Sequence, residues 1–378
     1  MQTSKRLFAL SKIPQVDHNT PLVPTSAPKN YEQIVKLGYD FAAPDTTTTN
    51  NAGYSTGTPL PTKTEIDRHA YPFSLNERMT VELLGRRATA AFGLPVSTAV
   101  TGSTAAYKHV YTPLNPQLET NLPVYTYIEK EGEPANPADI TDDRKLPAAG
   151  LASINWTSGT DDAYLNGVSD WQPSGRVITP SAVNFNTAGT NHVVLDSQAG
   201  ETSLKSGQAV VSIFPQASLG GTATVVGCNF RNVSIGYNTG TNFDAGYVCP
   251  EYAITGDSNS GLVRGSAPSG NPEITLSFSL VKTILFAQNF DPISKLRAQS
   301  QFSISFNYIA GLMPGITGTA IPFSANFKFL KLSVGSITQG DENGTATYDI
   351  VATVQAVGTD YGFSLEVFNK IASYATIS

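Results

Sequence analysis

The chain is poor in the residues that chemistry usually needs. Only two cysteines, Cys228 and Cys249, and four histidines occur in 378 residues. No third cysteine or nearby histidine completes a zinc set, so the cysteines read as two small buried side chains. No HExxH, CxxC, phosphate-binding loop or dinucleotide glycine motif occurs. Charge is scarce as well, at 14% Asp, Glu, Lys and Arg, where an average soluble domain has roughly 25%. Basic residues adjoin only in pairs, such as Lys5-Arg6 and Arg86-Arg87. Without a basic run and with a net charge of -6, the chain lacks the patch that attracts nucleic acid by displacing counterions. No apolar stretch reaches the ~18–20 residues of a membrane span. The apolar core Leu7–Leu10 is too short for a signal peptide, which implies a protein made and kept in a cytoplasm.

Three local runs could carry chemistry, and each has a plainer reading. Gly256-Asp257-Ser258 resembles the nucleophile block of some serine hydrolases. All four histidines (His18, His69, His109, His192) lie upstream of it, and Asn259-Ser260 stands where a protease has glycines, so a strand-connecting loop is the reading. Asp67-Arg68-His69 is a surface ion pair rather than a base and its orienter, because adjacent residues face different directions. Asp341-Glu342-Asn343-Gly344 is a hairpin turn ending in Asn-Gly. No catalytic residue, cofactor or metal site is expected.

What is present is a strand-rich pattern. Glycine (32) and proline (24) are plentiful, as many turns between short strands require. Met1 to about Asp45 reads as an arm broken by Pro14, Pro21, Pro24 and Pro28, with one short element over Asn30–Phe41. The Thr-rich run from Asp45 to Lys63 has no hydrophobic period and reads as a loop. Ser74–Phe92 is a helix candidate with a capping-box spacing, Ser74 to Glu77, and a weak point at Gly85. Short strands follow at Ala106–Tyr111, Val124–Glu129 and Leu151–Trp156. Asp161–Leu204 yields only a strand near Asn191–Leu195.

The last third alternates clearly. The expected strands are Asn229–Tyr237, Glu273–Val281, Gln301–Tyr308, Phe327–Val334, Thr345–Val357 and Phe363–Phe368, with a short helix over Asp291–Ser300 opened by Asp-Pro. Period two gives each strand one apolar face and one face of hydroxyls and amides. Three such polar faces are Glu273, Thr275, Ser277 and Ser279; Gln301, Ser303, Ser305 and Asn307; and Thr347, Asp349, Thr353 and Gln355, with Val351 interrupting the last. Each half holds one helix among short strands, the pattern of two tandem copies of one fold. The expected division is an arm over residues 1–63, a β domain over 64–226 that carries an insertion, and a second β domain over 227–378.

Two stretches resemble a known family. ITLSFSLVKT, the helix, QFSISFNYIAG, FKFLKLSVGSITQGDENGTATYDIVATVQAV and YGFSLEVFNKIASY resemble the end of the tail tube (major tail) proteins of long-tailed bacteriophages. ELLGRRATAAFGLPVSTAVTGSTAAYKHVYTPLNPQLETNLPVYTYIEKEG, with Tyr107-x-His109 and Leu122-Pro123-x-Tyr125-Thr126, resembles another part of that family. The resemblance implies a mainly β sandwich or barrel whose sheets join around a ring, with rings stacked into a hollow tube that passes DNA. It implies copies of the chain as partners, three per ring with pseudo-sixfold symmetry or six. Neighbouring rings, tail terminator and baseplate proteins, a tape-measure protein and passing DNA are the other partners it implies, with no membrane. The place implied is the virion tail, assembled in the host cytoplasm. The three polar faces are then candidates for the bore. Asp45, Thr46, Thr47, Thr48, Thr49 and Asn50 are candidates for contacts between rings. A capsid or baseplate component is the alternative, and a carbohydrate-binding or hydrolytic β-protein a remoter one.

Overall fold

The computed structural model describes residues 6–17, 20–25, 28–34, 45–50, 64–101, 105–114, 122–131, 144–173, 195–196, 200–220, 224–225, 230–241, 246–248, 262–264, 270–281, 290–313, 321–342, 344–358 and 361–376. The fold is mainly β. In chain order the first strands are β1 (Arg6–Ser11), β2 (Tyr31–Ile34), β3 (Asp45–Asn50), β4 (Thr64–Ala70) and β5 (Phe73–Arg78). Helix α1 (Val81–Phe92) follows, then β6 (Val96–Ala99), β7 (Tyr107–Tyr111), β8 (Tyr125–Glu131), β9 (Arg144–Gly159) and β10 (Asn166–Gln172). Next come β11 (Leu195–Asp196), β12 (Ala209–Phe214), β13 (Thr224–Val225), β14 (Phe230–Asn238), β15 (Gly246–Val248), β16 (Leu262–Arg264) and β17 (Glu273–Val281). Helix α2 (Pro292–Ala298), β18 (Phe302–Leu312), β19 (Pro322–Glu342), β20 (Thr345–Val354) and β21 (Phe363–Asn369) complete the set.

One pairing scheme is laid down twice. In the first run β1 pairs with β2 and β8, β8 with β9, β9 with β10, and β10 with β5, all antiparallel. In the second run β12 pairs with β13 and β18, β18 with β19, β19 with β20, and β20 with β17, all antiparallel. A separate hairpin precedes the fifth strand of each scheme, β3–β4 before β5 and β15–β16 before β17. A helix follows that strand each time, α1 or α2. Each long strand carries one extra residue at the matching place: Ala152 in β9 and Gly335 in β19. Strand β14 joins the runs, pairing with β17 on one edge and β9 on the other.

The long strands β9 and β19 serve two layers. The first part of β9 pairs with β8, and the rest lies between β10 and β14. The turn between these parts falls at Ala148, a non-glycine residue with φ 52°, a conformation that costs about 1–2 kcal/mol. The Ala148 amide donates to Gln15 Oε1 at 2.7 Å, which holds it there. β19 likewise pairs with β18 and β21 early and with β20 late. The result is a first layer β5-β10-β9-β14-β17-β20-β19 facing a second layer built on β21, β19, β18 and β12. Aromatic rings fill the space between: Trp156 lies 5.4 Å from Phe327, and Phe278 6.3 Å from Phe306. Phe92 of α1 stacks 6.3 Å from Trp156. Both runs share this one core.

Several expectations need correction. Phe73–Arg78 is a strand, not the start of a helix, because Phe73, Leu75 and Glu77 are buried while Ser74, Asn76 and Arg78 are exposed. The helix begins at Val81, and Thr80 Oγ1 accepts its Leu83 amide at 3.0 Å. Gly85 is no weak point: a Cβ there would lie 1.8 Å from Tyr374 Oη, so glycine admits the ring. The N-terminal segment is not simply an arm, since Phe8, Leu10 and Ile34 of β1 and β2 sit in the core. Asp45–Asn50 is a strand paired with Thr64–Ala70 rather than a loop. Within Asp161–Leu204 the sequence missed β10, and of Asn191–Leu195 only Leu195 is described, in β11. The α2 cap is as expected, with Asp291 Oδ1 accepting the Ile293 amide at 3.0 Å. Glu342 pairs with Thr345 and Gly344 has φ 77°, as the Asn-Gly hairpin required.

Candidate functional site: a polar face across seven strands

The first layer turns its large side chains inward. Leu75, Ile154, Trp156, Val233, Ile235, Leu276, Phe278 and Ile350 are all buried. Period two then sends their neighbours to the other face. Register aligns them in rows across the layer. One row runs Ser74, Asp170, Ser153, Asn238 and Glu273; the next runs Asn76, Val168, Asn155, Gly236, Thr275, Thr353 and Ser333. A third runs Arg78, Asn166, Thr157, Ser234, Ser277, Val351 and Ser336, and a fourth Asn232, Ser279, Asp349 and Thr338. Among these positions Arg78 is the single cation, against Asp170, Glu273 and Asp349.

Part of this face bonds to itself. Asp170 accepts from Ser74 Oγ at 2.5 Å and from Ser153 Oγ at 2.7 Å. Asp349 accepts from Ser279 Oγ at 2.5 Å, and Asn155 Oδ1 from Ser234 Oγ at 2.8 Å. Gln355 Nε2 donates to Ser333 Oγ at 3.0 Å, while its Oε1 accepts from Gln301 at 3.0 Å. A shallow groove of about 330 Å³ runs over Thr157, Ser234, Ser277 and Asp349. Such a surface is wet, weakly acidic and nearly free of the cations that would grip a phosphate.

The structure brings two of the three predicted faces together. Thr275 lies opposite Thr353 and Ser279 opposite Asp349, so the faces of β17 and β20 are one surface. Within it Thr347 is buried; a Cβ on Gly340 would lie 2.9 Å from its Oγ1. Of the third face, Gln301 lies at the edge and donates to Gln355 Oε1 at 3.0 Å, while Ser303, Ser305 and Asn307 belong to the second layer. There Ser303 is fully buried, donating to the Gln216 or Leu330 carbonyl, each at 2.8 Å. Ser305 and Asn307 are half-buried and pair with Lys328 and Asn326. Beside them Glu366 pairs with Lys108 at 2.8 Å and Lys328 at 2.5 Å. Burial alone would raise the Glu366 carboxyl, but these two ammonium groups hold it below its ordinary value. Asp45 to Asn50 form β3, away from both layers' ladders. Ser258, Cys228 and Cys249 lie outside the described residues.

A buried charge cluster went unforeseen. Arg86 Nε lies 2.5 Å from Glu32 Oε2, and Arg86 Nη2 lies 2.6 Å from Glu201 Oε1. Arg87 grips Glu77 with two bonds of 2.7 Å and reaches Glu32 at 2.7 Å. Burial alone would raise the Glu32 carboxyl, yet the Arg86 and Arg87 charges hold it below the usual carboxylate range. Both arginines are pushed upward by these carboxylates against the effect of burial. The cluster pins β2, β5 and α1 together. The sequence signal was Arg86-Arg87 inside a helix whose one other charged residue is Glu82.

One histidine is also built in. Ser97 Oγ lies 2.8 Å from His109 Nδ1, and His109 Nε2 lies 2.8 Å from the Ile371 carbonyl and 3.2 Å from Asn369 Oδ1. A carbonyl can only accept, so Nε2 carries the proton and Nδ1 accepts from Ser97. Burial holds the His109 ring below its ordinary value, hence neutral at pH 7. This arrangement clamps the C-terminal segment to β7. Among the described residues no group of three or more metal-binding side chains occurs.

No family model matches the chain, and no curated protein matches it. Among solved structures one match is titled "Crystal structure of Hcp protein", at 12% identity over 38% of this chain and 86% of that one. Its TM-score is 0.20, too low to bear on fold or function.

Proposed function

We propose that this chain is a structural subunit that assembles with its own copies into stacked rings, forming the tail tube of a long-tailed bacteriophage. The observation that carries this reading is the polar face of the first layer: seven strands wide, nearly free of cations and rich in hydroxyls and amides. A bore that lets DNA slide must avoid Lys and Arg contacts, each of which adds favourable free energy and stalls transit. It must also avoid large apolar patches, which belong in cores and interfaces. Glu273, Thr275, Ser277, Ser279, Asp349 and Thr353 meet both demands. The face of Ser305 and Asn307, on the far side with Lys328 and Lys108, belongs to the outside of the wall.

The doubled pairing scheme favours three chains per ring. Each chain supplies two copies, so three chains give pseudo-sixfold symmetry. The β3–β4 hairpin, set apart from the layers, suits contacts between rings. Its Asp45–Asn50 strand is the part assigned to them. The partners on this reading are neighbouring rings, terminator and baseplate proteins at the two ends, and tape-measure protein and DNA in transit. The place is the virion tail. Electron microscopy of the purified chain tests the reading: rings or tubes support it, and a monomer at every concentration overturns it.

A further inference from the structure

The joint between the two runs lies inside the chain. Beyond its bulge at Ala152, β9 gives one edge to β10 and the other to β14. Residues 153–159 pair there with residues 232–238, and β14 passes the layer on to β17 of the second run.

β19 is the counterpart of β9 in the doubled scheme, and Gly335 is the counterpart of Ala152. Counting onward from these two residues sets Ser153-Ile154 against Ser336-Ile337, the same two residues in both strands. Gly159, the last residue of the joint, falls against Glu342, the last residue of β19. Residues 336–342 have β20 on one edge, as residues 153–157 have β10. Among the described residues no strand lies on their other edge.

Burial separates the two places. Ile154 and Trp156, on the inward face of β9, are fully buried. Their counterparts Ile337 and Gln339 are half-buried and exposed. The end of β19 therefore lacks the cover that the second run gives β9. The edge is also unguarded: Ser333 to Gly340 holds no charge and no proline, the residues that commonly protect a free edge from pairing.

We propose that residues 336–342 of β19 are the edge on which a second copy of this chain docks. The copy's first run continues the layer there, as the second run continues it at β9. A chain has two runs and one internal joint, so cover for its last edge comes from another copy. One joint repeated within and between chains makes a head-to-tail contact of the kind that closes a ring. The proposal rests on the ring reading and names one side of the contact between copies.

The test is proline substitution in the full chain. Successive residues of a strand turn their backbone groups to opposite edges. Of the Thr338 and Gln339 amides, one therefore faces β20 and the other faces outward. Proline at the outward position removes a donor that the folded single chain does not use. Of Thr338→Pro and Gln339→Pro, one should fold as the wild type does and form no rings. If every variant that folds still forms rings, the docking edge is overturned and the ring reading stands. Should neither fold, hydrogen exchange on the wild type decides. The outward amides of 336–342 should exchange freely in the single chain and gain protection on assembly. Protection already present in the single chain, or none gained in rings, overturns the docking edge alone. A chain that never assembles overturns both.

Discussion

Replacing Arg87 by methionine probes the buried cluster most sharply. The guanidinium makes three contacts of 2.7 Å, two to Glu77 and one to Glu32. Methionine fills much of the volume but leaves Glu77 without either of these bonds and takes the Arg87 contact from Glu32. Breaking one side of a buried pair costs ~3–5 kcal/mol, because the remaining charge stays buried. Arg87→Met should lose that much in urea unfolding followed by tryptophan fluorescence, where Trp171, 5.8 Å from the guanidinium, reports locally. Adding Glu77→Gln removes the stranded charge, so the double variant should recover ~1–3 kcal/mol relative to the sum of the singles. The pH sign follows from Glu32. Its folded value lies below its ordinary 4.5, so its contribution is present above 4.5 and is lost as pH falls through the folded value. Wild type should therefore weaken in acid, and Glu32→Gln should flatten that fall. A loss below about 1 kcal/mol in Arg87→Met, or strict additivity with Glu77→Gln, would refute the argument.

Lysines at Thr275 and Val351, both exposed on the polar face, should leave stability within about 0.5 kcal/mol and tubes intact. With three chains they place six cations per ring, which steepens the salt dependence of DNA affinity by roughly five log units per log of salt. DNA delivery by particles carrying them should slow or fail, and normal infectivity would count against the bore assignment. Gly85→Ala should be strongly destabilising, since its Cβ would lie 1.8 Å from Tyr374 Oη; an unchanged melting temperature would show that the ring moves aside cheaply. Ser97→Ala should lower stability by ~0.5–1.5 kcal/mol through its lost bond to His109. An ester-hydrolysing activity that vanishes in this variant would instead make Ser97 and His109 a catalytic pair.

Much of the second run was legible, because its strands alternate cleanly and period two is a strong signal. Glu273–Val281 emerged residue for residue, and Asp291-Pro292 marked its helix. The first run was harder. In Phe73–Arg78 the inward Glu77 is charged, so the strand looked polar; only the pairing of Glu77 with Arg87 explains it. Gly85 weakens a helix by propensity, and no local pattern reveals the ring of Tyr374, nearly three hundred residues on, that requires it. The polar face of the first layer was half legible. Alternation named the polar sides of β17, β18 and β20, but which sides share a surface depends on pairing. That depends in turn on the bends in β9 and β19, which no residue announces. Ser303 shows the limit: it alternates with Phe302 and Ile304, yet Leu330 and Gln216 close over it.

The tube assignment stands or falls on the symmetry of the assembled particle. Cryo-electron microscopy of tubes grown from the purified chain measures it directly. The expected particle has three chains per ring, pseudo-sixfold symmetry, and the β17–β20 face with Thr275, Ser277 and Asp349 turned to the bore. A particle with that face on its outer wall, or a ring of six chains each contributing one copy of the scheme to the wall, would contradict it.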